Sequence, residues 1–185
     1  MTQATDSPSQ IPRIISLIDQ INEVIGRSVS WLTLIMVVVT FTVVVFRYLF
    51  NTGWIAMQES ITYMHALVFM LGAAYTLKHD GHVRVDIFYR EKSERFRIWV
   101  DALGSLFLLL PVTLFITWIS WEYVAASWSV LESSQEAGGI PAVFLLKSII
   151  LIMSVLLTLQ GLALFVTNLL RLLGKLPHQK TREKM

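Results

Sequence analysis

The chain has 185 residues, of which 55% are hydrophobic, with six tryptophans, no cysteine and a formal net charge of +2. Without cysteine there are no disulfides, no thiol redox chemistry, no iron–sulfur ligation and no thiolate zinc site. The small positive balance follows the placement of loops and gives no reason to expect nucleic acid as a partner, and nothing in the composition marks a separate soluble domain.

Residues 1–10 are polar and uncharged apart from Asp6. They read as a disordered N-terminus, expected to stay on the chain because the first apolar stretch starts too late and runs too long for a cleavable signal. Over 11–27, Ile11, Ile14, Ile15, Ile18, Ile21 and Ile25 recur at helical spacing, while Asp19, Gln20, Asn22, Glu23 and Arg27 fill much of the other side. This predicts an amphipathic interfacial helix. With two basic residues it lacks the cationic face of a lipid-seeking anchor, so packing on headgroups and packing on protein both remain open.

Four apolar stretches follow, at 28–46, 60–77, 102–121 and 148–170, and none contains Lys, Arg, Asp or Glu. Each is about 20 residues long, enough at ~1.5 Å per residue to cross ~30 Å of hydrocarbon. Backbone in lipid must satisfy its own hydrogen bonds, and runs this long without alternation are not barrel strands. The predicted fold is an all-α integral membrane protein, with a transmembrane domain over 28–173 and helices at about 28–49, 56–77, 98–124 and 141–173. Of the 15 basic residues, all but Arg47 and Lys147 fall before the first stretch, between the second and third, or after the fourth. The positive-inside rule then predicts both termini in the cytoplasm, N-in and C-in, with 174–185 a basic cytoplasmic tail.

The first stretch is rich in β-branched residues, which lipid tolerates in a helix, and it ends at Arg47-Tyr48. The short connection makes helices one and two antiparallel neighbours, with Asn51 and Gly53 turning the chain and Trp54 at headgroup level. Glu59 falls in the first turn of helix two, where the helix dipole favours a carboxylate and Arg47 is the nearest partner in sequence. Its other reading is an ion or substrate ligand. Thr62, Ala66 and Ala73, with Gly72 and Thr76 nearby, line one side of helix two with small residues that let a neighbouring helix come close. His65 is the ionisable side chain inside that apolar stretch, expected to bond a facing carbonyl or hydroxyl, with a transport role as the sharper reading.

The loop after helix two carries His79, Asp80, His82, Arg84 and Asp86. A metal site is not expected there, since the two histidines lack a matched second pair and Arg84 would repel a cation. Val83, Val85 and Ile87 alternate with Arg84 and Asp86, a pattern expected of a segment held against another surface, and Glu91 and Arg95 are spaced as a helical i,i+4 pair. Helix three carries Pro111 at mid-depth, which should bend it as a static shape, and leaves the membrane through Trp118, Trp121, Glu122 and Tyr123. Trp128, Glu132 and Glu136 mark the outer loop. Gly138-Gly139-Ile140-Pro141 then opens helix four, whose roughly 33 residues span nearly 50 Å, so that it must tilt or protrude.

Secondary transporters show internal repeats, interrupted helices around a midplane site and buried carboxylates that couple ions. These features are missing from the sequence, which therefore reads as a non-enzymatic component whose partner carries the chemistry. Arg47-Tyr48, Trp54 with Glu59 five residues on, Gly72 and the stretch His82-Val-Arg-Val-Asp86 occur in an order that resembles the small, Q-type (DctQ-like) membrane subunit of tripartite ATP-independent periplasmic (TRAP) transporters. The resemblance covers all four stretches. It implies a bacterial inner-membrane complex with a large M-type permease subunit and a periplasmic substrate-binding protein, taking up an organic acid by sodium symport. The large subunit would hold the substrate and sodium sites, leaving this chain without cofactor, metal or substrate site. Arg47, Trp54, Glu59, His82, Arg84 and Asp86 are the candidate subunit-contact or positioning residues. Two rival readings are a small homodimeric multidrug exporter, which needs a membrane-embedded carboxylate where Glu59 lies too near the edge, and a haem-binding anchor of a respiratory complex, which needs a second histidine at the depth of His65.

Overall fold

The computed structural model describes residues 12–83 and 92–176. The expected disordered segment 1–10, the loop residues Arg84, Val85, Asp86, Ile87 and Glu91, and the tail beyond Leu176 lie outside the described residues. Within them every regular element is helical, and four helices are long and apolar enough to cross a membrane: α1 (Arg13–Leu49), α2 (Ile55–Lys78), α3 (Glu94–Ser129) and α4 (Val143–Leu172). At ~1.5 Å per residue the shortest, α2 with 24 residues, reaches about 36 Å.

Residues 13–27 are not a separate helix. They continue into the first apolar stretch as one 37-residue helix, because nothing between Arg13 and Leu49 breaks the ladder: no proline, and Gly26 as the sole glycine. The inward side of this segment is mixed in character. Ile15, Asn22, Gly26 and Val29 are buried, whereas Ile14, Leu17, Ile21 and Val24 face outward. Of the two residues expected to turn the chain into α2, Asn51 takes the left-handed conformation (φ 48°) and Gly53 does not.

Two helices contain a π turn. In α3 it covers Ser105–Leu109, immediately before Leu110 and Pro111. Pro111 lacks the N–H that would bond the carbonyl of Phe107, and its ring crowds that carbonyl, so the widened turn absorbs the misfit. In α2 the π turn covers Leu67–Leu71. The side chain of Ser93 caps α3 by accepting from the Phe96 N–H at 3.4 Å, with Glu94 in the first turn. Beyond α4, Gly174 (φ +70°) lets its own N–H and that of Lys175 return to the carbonyls of Arg171 and Leu170.

The helices do not close into a symmetric bundle. The fourth helix touches each of the others, α1 and α2 pack on each other and on α4, and α3 packs on α4 without meeting α1 or α2 among the described residues. The core therefore runs along α4, through Ile149, Leu156 and Ala163, and picks up Ala74 from α2 and Ala102 from α3. Close helix approach occurs at two glycines. A Cβ on Gly26 would lie 2.3 Å from the ring of Tyr75 in α2, and one on Gly161 would lie 2.7 Å from Leu109 in the π turn of α3. Gly72, read from sequence as part of a packing face, has nothing within 4 Å of that position.

Candidate functional site

Polar side chains tie the four helices together at three levels. At the first level, Asn22 and Gln160, 1% and 4% exposed, meet across α1 and α4. Asn22 Nδ2 donates to Gln160 Oε1 at 2.6 Å, and Gln160 Nε2 donates to Asp19 Oδ1 at 3.0 Å. Amides buried at this depth are costly unless bonded, so the pair fixes the register of α1 on α4. One turn along, Glu23 collects the end of α2: Lys78 Nζ donates to it at 2.7 Å and His79 Nε2 lies 2.8 Å away. Lys78 also donates to the Asp19 carbonyl at 3.0 Å, and Arg27 Nε reaches Glu23 from the same helix at 2.7 Å. The ring of Tyr75 rests 4.4 Å from that of His79 and covers Gly26. Three helices thus meet at one terminal junction.

A hydroxyl seam joins α3 to α4 at mid-depth. Thr117 and Ser154 lie 2.9 Å apart, oxygen to oxygen, and Thr113 and Thr158 lie 2.8 Å apart. Each hydroxyl also reaches a carbonyl one turn back in its own helix. Ser154 is fully buried and Thr113 is 2% exposed. Each hydroxyl has one proton, given either to the facing oxygen or to the carbonyl on its own helix, so the seam joins two helices while every hydroxyl keeps an acceptor within reach.

At the far end, Glu59 reaches the connection between α3 and α4. Ser134 Oγ donates to one carboxylate oxygen, and the Ile140 N–H donates to the other at 2.6 Å. The loop closes on itself through Ser134 N–H to the Ile140 carbonyl at 3.2 Å. Gly139 is needed here, since a Cβ would fall 2.4 Å from Ser134 Oγ and 2.8 Å from Glu59. Beside this loop clamp, Lys147 donates to Glu132 and sits 4.2 Å above the Tyr123 ring, while Trp128 Nε1 donates to Ser148 at 2.8 Å. The hydrogen bond from Lys147 holds the Glu132 carboxyl below the usual carboxylate range.

The candidate residues fall in different places. Glu59 is a structural anchor for the loop, and the expected pairing with Arg47 does not form: Arg47 lies on the exposed side of the last turn of α1, and Ser134 and Ile140 occupy the carboxylate instead. Trp54 is exposed at the start of α2 and borders an apolar cavity of about 240 Å³, with Val43, Phe46, Thr52, Gly53 and Met57. His82 is exposed, and Arg84 and Asp86 lie outside the described residues. Among the described residues His65 bonds no facing carbonyl or hydroxyl; it is exposed and its ring stacks on Phe69. Sequence reasoning missed the Asn22–Gln160 pair and the hydroxyl seam. Both left a signal: Gln160 is an amide in the middle of a stretch without charges, and Thr113/Thr117 and Ser154/Thr158 repeat at i,i+4 on two helices.

A family model described as "Tripartite ATP-independent periplasmic transporters, DctQ component" matches residues 36–171. No curated protein and no solved structure matches the chain. The matched stretch includes both sides of the loop clamp and of the hydroxyl seam, but only the α2 and α4 side of the terminal junction.

Proposed function

The chain belongs to the DctQ component family of tripartite ATP-independent periplasmic transporters, and on that premise we propose that it is the small permease subunit that holds the large membrane subunit of such a transporter in place. That subunit performs sodium-driven uptake of an organic acid delivered by a periplasmic binding protein. The small subunit sits in the bacterial inner membrane with both termini cytoplasmic, as the distribution of its basic residues favours. It performs no reaction of its own.

The observation that carries this reading is where the polar groups go. Glu59, the carboxylate that an exporter would need for coupling, is engaged by Ser134 and Ile140; Asn22 and Gln160 bond each other; the α3 and α4 hydroxyls bond each other. The amide pair and the hydroxyls fix helices relative to one another, and Glu59 orders the connection between α3 and α4, which is what a stationary scaffold requires. In this reading the loop held by Glu59 presents an ordered periplasmic surface, Arg47 and Trp54 anchor the outer headgroup level, and residues 82–86 position the cytoplasmic loop against the partner.

The test is reconstitution of the large subunit and binding protein in liposomes, with and without this chain. Sodium-gradient-driven uptake is expected only when the chain is present. Glu59→Gln should reduce the amount of assembled transporter while leaving the substrate KM of what remains unchanged. Full uptake in the absence of the chain, or a changed KM in the variant, contradicts the scaffold role.

A further inference from the structure

The outward face of α2 differs from those of α1 and α3. Along their apolar stretches, α1 and α3 expose side chains such as Val37, Phe41, Leu108 and Val112, which suit hydrocarbon. Thr40 and Thr42 turn their hydroxyls back onto the carbonyls of Met36 and Val38, so they ask nothing of their surroundings. On α2 the exposed residues include Thr62, His65 and Phe69, a helical stripe, and His65 is the eleventh of the 24 residues, within about 3 Å of the helix midpoint. Phe69, itself 74% exposed, stacks on the imidazole with ring centroids 6.1 Å apart and belongs to the π turn. No described residue forms a hydrogen bond with either ring nitrogen of His65.

A neutral imidazole has one donor and one acceptor, and a protonated one has two donors. Acyl chains satisfy none of these, and an ionisable side chain at the bilayer centre faces protein or water in preference to lipid. A second copy of this chain is a poor occupant where a two-fold axis passes at His65, since the ring then meets its own equivalent, each satisfies one nitrogen of the other at most, and the two repel once protonated. A different transmembrane helix offering a hydroxyl, a carboxyl or a free carbonyl at that depth supplies the complementary group. We infer that the Thr62, His65 and Phe69 face of α2 is the surface on which a transmembrane helix of the large permease subunit docks, with His65 hydrogen-bonded to a polar group of that helix. The inference rests on the subunit role proposed above and adds the contact face to it.

Because the chain has no cysteine, a single cysteine carrying a benzophenone maleimide reports one position cleanly. The tagged chain is co-expressed with its large subunit, extracted in mild detergent, labelled and irradiated with the cysteine at position 62, 65 or 69, and at 115 as a control on the exposed face of α3. Adducts of the mass of this chain plus the large subunit are expected from T62C, H65C and F69C and not from F115C. In parallel, His65→Leu should lower the co-purified large subunit about threefold or more, the size of a typical interhelical membrane hydrogen bond, and His65→Gln should retain it. Adducts of twice this chain's mass assign the face to a second copy and overturn the inference. Lipid adducts alone, with the large subunit still co-purifying, also overturn it while leaving the subunit role standing. Failure of the unsubstituted chain to retain a large subunit overturns that role and the docking face together.

Discussion

At the terminal junction, side chains on three helices bond one another directly, through Asn22, Gln160, Glu23 and Lys78. At the opposite end, one carboxylate on α2 reaches a loop, and its partners are Ser134 and a backbone N–H. The junction joins α1, α2 and α4 and leaves α3 out; the clamp reaches α3 through the connection that follows it. Since α3 meets neither α1 nor α2 among the described residues, its packing on α4, with the hydroxyl seam inside it, and the clamp are what tie it to the rest. The difference separates two kinds of rigidity. Buried amide pairs fix helix register, whereas a carboxylate at a helix start shapes a loop and leaves helix packing alone.

The sharpest way to break this contrast is to overfill the junction. Gly26→Leu puts side-chain atoms where the Tyr75 ring lies, and should cost roughly 1–3 kcal/mol or more by forcing α1 from α2. Thermal unfolding in detergent measures it, and an unchanged midpoint would mean that the contact is not tight. Gln160→Leu leaves Asn22 and Asp19 without their partner and should cost about 1–3 kcal/mol; Asn22→Leu in the same chain should recover part of the loss, as expected when the penalty comes from an orphaned amide. Ser154→Ala in the seam should cost only about 0.6 kcal/mol, because Thr117 keeps its bond to the Thr113 carbonyl.

At the clamp the expected readout is local. Glu59→Ala should leave the unfolding midpoint nearly unchanged while making the loop between α3 and α4 several times more sensitive to protease. A large drop in midpoint would make the clamp part of helix packing after all. Nearby, Glu132 titrates below the usual carboxylate range. Its contribution is fully present above the ordinary carboxylate pKa of about 4.5 and is lost as the pH falls through the lowered value. Acid-induced loosening of the loop should therefore begin only below the ordinary range, and Glu132→Gln should remove that step. The smallest effect is expected from Arg27→Ala, since Arg27 is 76% exposed and Glu23 keeps Lys78 and His79.

The four membrane helices were legible because four long apolar runs without a charge admit little else. The continuity of α1 was not: Asp19, Asn22 and Glu23 look in sequence like the water-facing side of an interfacial helix, and only α2 and α4, folded against them, turn those residues into inward contacts. Glu59 was legible as the start of α2, but its partners lie 75 and 81 residues away, so its nearest charged neighbour, Arg47, stood in for them. The Asn22–Gln160 pair, 138 residues apart, was beyond local pattern altogether. Small residues on α2 pointed to close packing, and the close contacts instead fall at Gly26 and Gly161, because which small residue is used depends on where a bulky partner such as Tyr75 or Leu109 arrives.

The central claim is that this chain works as one component holding a larger membrane protein. The most direct measurement is to tag it in its native bacterium, extract it in mild detergent and quantify by mass spectrometry what comes with it. The account predicts a large multi-spanning permease in near-equal amount. Recovery of the chain alone, or only as copies of itself, would contradict it.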